Sequence, residues 1–325
     1  MTEFDLIAEY FTRPTKQAAL GVGDDCALIS PSPGMQLAIS SDMLVEGRHF
    51  FSNVNPYSLG HKALAVNLSD LAACGATPVA FTLALALPRI DEAWLQEFSH
   101  GLWALADAHG CELIGGDTTQ GPLNICITVF GEVPRGQALL RSGARVGDDI
   151  YVSGTLGDAH LALEALQGHI ELPPSMLEQA RLRLEQPTPR VALGTALRGI
   201  ATSAVDISDG LVGDLGHILK ASAVGALVNT AITINLIALG SHSDWARCQF
   251  NTQKQLKAVL SGGDDYELAF TAPHAARQAV MEASANSQTP VTRIGVIESE
   301  PGLRLVDGDG LPVNGQFSSF EHFAP

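Results

Sequence analysis

The sequence predicts a mixed α/β fold in two domains, on three observations. A chain of 325 residues, 46% of them hydrophobic, is long enough for a large core and exceeds the usual size of one domain. Short β-rich runs alternate with longer stretches whose apolar residues recur at helical spacing. The pattern breaks at Val133-Pro134-Arg135-Gly136-Gln137, before a new strand that follows Arg145-Val146-Gly147-Asp148. The expected domains are therefore 1–137 and 138–325.

In the first half, 36–39 reads as a short strand, 79–87 as a longer apolar run, and 124–133 as a stretch rich in β-branched residues. The three are expected in one sheet. Residues 57–74 and 92–109 carry helical periodicity and stop at Gly75 and Gly110, where glycine suits a helix end. The second half offers strands at 149–153, 204–207, 226–229, 267–271 and 291–296, and helices at 156–167, 176–185, 190–198, 210–223 and 273–284. No fixed period relates the halves, so no repeat is inferred. Asp307-Gly308-Asp309-Gly310 begins like a calcium loop but lacks its continuation, and a hairpin turn explains it.

The formal charge of -16, from 35 acidic against 19 basic residues, leaves no cationic surface for a nucleic-acid backbone. An anionic substrate would have to be held by metal ions, backbone N–H groups and a few arginines. The five cysteines, Cys26, Cys74, Cys111, Cys126 and Cys248, form neither a CxxC pair nor a disulfide framework, so a reduced cytoplasmic compartment is expected. The start, Met1-Thr2-Glu3-Phe4-Asp5, lacks the basic and apolar regions of a signal peptide, and no stretch has the roughly 18 apolar residues of a membrane span. No membrane association is expected.

GxxxxGK[ST] and HRD…DFG are absent, and Gly21-Val22-Gly23 is not completed to GxGxxG because Cys26 holds the sixth position. Walker-type NTPases, protein kinases and Rossmann dehydrogenases are disfavoured. Without HExxH, and with ten scattered histidines, zinc hydrolysis is disfavoured too. What remains is oxygen chemistry, because aspartates recur at glycine- or serine-rich breaks: Gly23-Asp24-Asp25, Ser40-Ser41-Asp42, Asn67-Leu68-Ser69-Asp70, Gly115-Gly116-Asp117, Asp206-Ile207-Ser208-Asp209-Gly210 and Gly262-Gly263-Asp264-Asp265. Carboxylates brought together by a fold repel one another unless hard cations neutralise them. Each motif alone also fits a turn, a helix cap or a polar helix face. Asp42 follows two serines at the end of an apolar strand, where hydroxyls and carboxylate can share a rim, and Asn67 and Asp70 share a helix face. Gly210 opens a helix whose N-terminal amides would favour a bound anion.

Taken in order, these motifs resemble the thiamine-monophosphate kinase family of the aminoimidazole-ribonucleotide-synthetase-like superfamily. The resemblance rests on Gly21-Val22-Gly23-Asp24-Asp25-Cys26-Ala27, Ser40-Ser41-Asp42 with Gly47-Arg48-His49-Phe50, and Lys62-Ala63-Leu64-Ala65-Val66-Asn67-Leu68-Ser69-Asp70. It continues through Ile114-Gly115-Gly116-Asp117-Thr118-Thr119, Asp206-Ile207-Ser208-Asp209-Gly210-Leu211, Ser261-Gly262-Gly263-Asp264-Asp265-Tyr266-Glu267-Leu268 and His322-Phe323-Ala324. It implies a two-domain PurM-like fold, an N-terminal ATP- and magnesium-binding domain whose sheet joins its partner's in a homodimer, and ligands bound between the domains. The implied activity is ATP-dependent phosphorylation of thiamine monophosphate to thiamine diphosphate, the last step in making that coenzyme.

By position, the resemblance implies Asp25, Ser40, Ser41, Asp42, Asp70, Asp117, Asp206 and Asp209 as magnesium ligands. Gly116, Asp117, Arg141 and Ser208 match ATP-contacting positions, and His49, Asp264 and Phe320 substrate-contacting ones. The Asp264 position is usually Glu in the family. No general base is expected. Other superfamily activities fit less well: maturation proteins end in cysteine whereas this chain ends Phe323-Ala324-Pro325, and the reactive N-terminal segment of selenophosphate synthetases is missing. A protein that binds ATP and magnesium without turnover is the alternative from another class.

Overall fold

The computed structural model describes residues 2–320, so the terminal motif His322-Phe323-Ala324 lies outside the described residues. The chain forms two compact units: one holds the residues up to Leu71 with Ala76–Ala138, the other Ala72–Gly75 with the residues from Leu139 onward.

The first unit runs α1 (Glu3–Tyr10), β1 (Met35–Val45), α2 (Pro56–Ala73), β2 (Thr77–Leu87), α3 (Glu92–His109), β3 (Glu112–Gln120) and β4 (Asn124–Pro134). Its sheet has the order β1-β4-β2-β3. The β1–β4 and β2–β4 pairs are antiparallel, while β2 and β3 are parallel, which requires the crossover that α3 provides. Alternation along β4 buries Ile125, Ile127, Val129 and Val133 and leaves Cys126, Thr128 and Phe130 half-buried on the other face. The buried side chains join Leu64 and Leu68 of α2, Phe81 of β2 and Phe98 and Leu102 of α3 in the core. Two glycines let α2 and α3 touch backbone to backbone: a Cβ at Gly60 would lie 2.0 Å from the Phe98 carbonyl oxygen, and one at Gly101 1.9 Å from that of Tyr57.

The sequence reading passed over α1 and β3. The signal for α1 is short but present, since the Thr2 hydroxyl accepts from the Asp5 N–H while the Asp5 carboxylate accepts from the Thr2 N–H. β3 was hidden by its own glycines. Gly115-Gly116-Asp117, expected at a break, runs inside the strand beside a register shift at Phe81/Thr82. β1 likewise continues past 39 to Val45, so Asp42 stands within the strand rather than at its end.

The second unit comprises β5 (Asp149–Ser153), α4 (Asp158–Leu166), α5 (Pro174–Glu185), α6 (Val191–Ala196), β6 (Ser203–Ile207), α7 (Leu211–Ser222), β7 (Gly225–Asn229), α8 (Thr230–Thr233), α9 (Thr252–Ser261), β8 (Glu267–Ala272), α10 (Arg277–Asn286), β9 (Val291–Glu298) and β10 (Gly302–Val306). The six-stranded sheet has the order β10-β7-β9-β5-β8-β6, with β10–β7 parallel and the other pairs antiparallel. Every residue of β5, β6 and β8 is buried, the polar Asp149, Ser153, Ser203, Asp206, Glu267 and Thr271 included. α9 was not foreseen because its first turns are polar; Asn251 caps it by accepting from the Lys254 N–H at 2.9 Å. Asp307 accepts from the N–H groups of Asp309 and Leu311, closing the expected turn. Among the described residues no helix is long and apolar enough to cross a membrane.

At the start of β5, the buried Asp149 carboxylate accepts from Arg277 Nε at 2.6 Å and Nη2 at 2.7 Å, and from Arg293 Nη1 at 3.1 Å. The Arg277 fork holds the Asp149 carboxyl below the usual range against the opposing effect of burial. A depressed carboxyl pKa stabilises the fold above the unfolded value, near 3.9 by model peptides, and that contribution disappears as pH falls through the folded value. Asp149→Ala is expected to lower unfolding free energy at pH 7 by about 2 kcal/mol. Urea titrations against pH should show the gap from wild type narrowing below about pH 4, and a gap independent of pH would contradict this account. Gly101→Ala should cost about 2–3 kcal/mol by forcing α2 and α3 apart, measurable as a fall in the urea midpoint.

Candidate functional site

In the first unit, strand alternation decides which hydroxyls accompany which carboxylates. The Ser40 hydroxyl donates to Asp70 Oδ2 on α2. Two residues on, the Asp42 N–H donates to Asn67 Oδ1 at 3.1 Å, and Asn67, fully buried, donates through Nδ2 to the Ala63 carbonyl at 3.0 Å. Ser40, Asp42, Asn67 and Asp70 thus form one oxygen-rich seam between β1 and α2. Ser41 points to the opposite face, where its hydroxyl meets Thr128 Oγ1 at 2.9 Å and donates to the Ile127 carbonyl at 3.2 Å. The rim expected to hold both serine hydroxyls with Asp42 is therefore split, and Ser41 can face Asp42's neighbours only through its main chain.

A second group gathers along β3. Asp24, Asp25, Gly115, Gly116, Asp117 and Thr118 line a cavity of about 650 Å³ whose apolar wall includes Phe4, Ile7 and Phe11. Its size suits a small-molecule ligand. At Gly116 the φ of +148° and a would-be Cβ 1.8 Å from the Leu83 carbonyl oxygen leave room for no side chain. The two groups occupy opposite edges of the sheet. Asp42, Ile127, Leu83 and Gly116 stand in one cross-strand row, so three strand spacings, about 14 Å, separate Asp42 from Gly116. One ion cannot be bound by both within this unit.

His49 lies on the turn after β1, where the Val45 N–H donates to its Nδ1 at 3.0 Å. The ring proton is thereby placed on Nε2, the donor an anionic group requires.

In the second unit, Asp206 lies one residue before the end of β6, and Ser208, Asp209 and Gly210 link that strand to α7. Gly262 to Tyr266 lie alongside, with the Asp264 N–H donating to the Ser208 carbonyl and the Tyr266 N–H to the Ile207 carbonyl, both at 2.8 Å. Phe320 joins them through its N–H, which donates to the Asp209 carbonyl at 3.0 Å. Asp264 and Tyr266 have positive φ, +66° and +50°. Aspartate enters the left-handed region more readily than glutamate, a physical reason for Asp at 264. Arg141 is placed elsewhere. Its carbonyl accepts from Ser222 Oγ at the far end of α7, a helix of 12 residues, so about 18 Å of helix separates it from Ser208.

The three amides that lead into α7 are engaged from within. Oδ2 of Asp214 accepts from the N–H groups of Ser208, Asp209 and Gly210, so these amides are not open to an external anion. Burial pushes the Asp214 carboxyl up to about 7, against the three amides that favour its ionised form. Beneath the Gly262–Tyr266 loop, fully buried Glu267 accepts from Ser153 Oγ at 2.6 Å, Arg183 Nη2 at 2.8 Å and Arg190 Nε at 2.6 Å. Asp265, also buried, accepts from the Gly157 N–H at 3.0 Å, and burial raises its carboxyl well above the usual range. Sequence reading missed Asp214, Arg183 and Arg190. The clue to Asp214 was an acid in the first turn of a helix whose Gly210 cap has no side chain to satisfy the leading amides.

Among the described residues no three His, Cys, Asp or Glu side chains gather tightly enough to hold an ion by themselves. The donor set nonetheless fits magnesium, since it consists of oxygens, and magnesium typically takes one or two carboxylates and completes its shell with water and substrate phosphates.

Models of the AIR synthase related protein N-terminal and C-terminal domains match residues 23–133 and 145–308. The thiamine-monophosphate kinase of Salmonella typhimurium is 46% identical over 330 residues, covering 99% of this chain and 98% of the relative. The crystal structure of thiamine-monophosphate kinase from Stenotrophomonas maltophilia K279a superposes with a TM-score of 0.82 at 44% identity, covering 94% of each chain. AaThiL complexed with AMPPCP and TMP gives a TM-score of 0.77 at 29% identity, covering 90% of this chain and 89% of the other. With both domain models matched in order and such identity along nearly its whole length, the chain belongs to the AIR synthase related proteins and, within them, to the thiamine-monophosphate kinase family.

Proposed function

We propose that the protein transfers the γ-phosphoryl group of ATP to thiamine monophosphate, yielding thiamine diphosphate and ADP. The observation that carries this is the set of oxygen-only clusters, placed on the motifs of a chain 46% identical over 99% of its length to a thiamine-monophosphate kinase. The acceptor is a phosphate monoester whose second pKa is about 6, so its oxygen is largely deprotonated near neutral pH. No side chain need act as a base. The protein's task is to hold two polyanions in line and to offset charge on the group in transit.

Asp25, Asp42, Asp70, Asp117, Asp206 and Asp209, with Ser40 and the main chain of Ser41, would hold magnesium. When bound, magnesium supplies positive charge to the phosphate oxygens. The Gly116-Asp117 main chain would cradle the nucleotide's phosphates, with Ser208 contributing its hydroxyl and Arg141 a contact further along ATP. His49 would donate from Nε2 to the substrate's phosphate, Asp264 would contact the substrate, and Phe320 would lie against the thiamine rings.

The 1–137 domain is assigned to ATP, magnesium and dimerisation and the 138–325 domain to the remainder of the site, in a cytoplasmic homodimer that acts without nucleic acid or membrane. Support for the dimer comes from edge strand β1, where Ile39 and Met43, 60% and 53% exposed, flank Ser41 on a mixed face opposite Phe130, Thr128 and Cys126. A second copy would cover it.

Purified protein incubated with ATP, magnesium and thiamine monophosphate should form thiamine diphosphate and ADP in equal amounts, and EDTA should stop both. ADP without thiamine diphosphate, or neither product, would refute the assignment. Asp42→Ala and Asp209→Ala should each reduce kcat by at least about a hundredfold. Their melting temperatures should be unchanged or higher, because removing a carboxylate relieves repulsion between neighbours. Turnover near wild type in either folded variant would remove that residue from the metal set.

A further inference from the structure

A trans peptide is planar, so its N–H and C=O point in opposite directions and fixing one fixes the other. Three consecutive peptide planes in the second unit are fixed this way. The N–H groups of Ser208, Asp209 and Gly210 converge on Asp214 Oδ2 at 3.1, 3.0 and 3.1 Å. The carbonyls of the same three planes belong to Ile207, Ser208 and Asp209, and they accept from the N–H groups of Tyr266, Asp264 and Phe320 at 2.8, 2.8 and 3.0 Å. Asp214 thus stands on one side of each plane and a segment bearing a proposed substrate contact on the other. The segment leading to Phe320 is also seated directly on α7, since a Cβ at Gly213 would lie 2.2 Å from Ser319 Cβ.

We propose that Asp214 is a positioning residue for the substrate side of the site: by orienting three peptide planes it sets where Asp264 and Phe320 attach and how Asp209 is presented. It is itself buried, 4% exposed, and acts only through the main chain it holds. The inference rests on the kinase reading, because Asp264 and Phe320 are substrate contacts under that reading. The clasp itself does not depend on it.

Two measurements keep the two apart. In ligand-free protein, hydrogen–deuterium exchange should quicken in Asp214→Ala within peptides spanning 206–214 and 313–320, and should stay at the wild-type rate there in Asp149→Ala, a variant that loses a buried carboxylate elsewhere in the unit. In steady-state kinetics, Asp214→Ala should raise both the KM for thiamine monophosphate and the half-saturating magnesium concentration about tenfold. Asp214→Asn, which keeps an acceptor oxygen, should raise them about threefold, and Asp149→Ala should leave both within twofold. Unchanged exchange in Asp214→Ala would overturn the clasp. Faster exchange with both constants at wild-type values, in an enzyme that makes thiamine diphosphate, would overturn the positioning role while leaving the kinase reading intact. If Asp214→Ala does not fold, wild-type exchange and constants in Asp214→Asn are the overturning result.

Discussion

Backbone N–H groups at the start of a helix have no partner within it, and when they are buried each unsatisfied one costs on the order of 1–3 kcal/mol. In the second unit glycine precedes both α4 and α7, so neither helix carries a capping side chain at that position. Buried carboxylates take over the task. Asp265 receives the Gly157 N–H and Asp214 those of Ser208 to Gly210; Asp158 likewise satisfies the amides of Ala238 and Leu239, which lie outside both helices. Asp265 and Asp158 act across the fold, whereas Asp214 closes on the turn just ahead of its own helix, so the segment carrying Asp209 is held locally by Asp214 and from outside by the Asp264 and Phe320 main chain.

That arrangement bears on how an acidic chain handles anionic ligands. With a net charge of -16, the chain has few cationic groups to offer two polyanions, Arg141 and His49 among them under the proposed reading. Several of its acids are already engaged internally: Asp149 and Glu267 by arginines, Asp214 and Asp265 by amides. Of the other motif acids, Asp24, Asp25 and Asp117 are exposed, where hydration makes a carboxylate cheap to maintain until a cation arrives, whereas Asp206 is buried.

Much of the fold was legible because its periodicities are clean: the boundaries read for the 92–109 helix and the 149–153 strand coincide with those observed. The elements that escaped notice carry function or polar ends. β3 was concealed because Gly115 and Gly116 break the apolar alternation that marks a strand, and α9 because its opening turns are polar. Within the site, the motifs were visible as residue types, but their partition was not. Alternation turning Ser41 away from Asp42, the strands between Asp42 and Gly116, and the length of α7 between Arg141 and Ser208 depend on register and topology that no single motif encodes. Asp214 illustrates the remainder, since its role comes from three main-chain groups and leaves no mark beyond one acid in a first turn.

The placement of Gly115-Gly116-Asp117 inside a strand has a consequence for affinity. A glycine-rich loop that closes around a nucleotide must lose main-chain freedom at that moment, at about 1–2 kcal/mol per residue ordered. Here the same residues are already aligned against Leu83, Ala84 and their neighbours by the β2–β3 ladder. The ordering has been completed during folding, so whatever binds along that edge meets a preorganised surface and keeps more of its interaction energy as affinity.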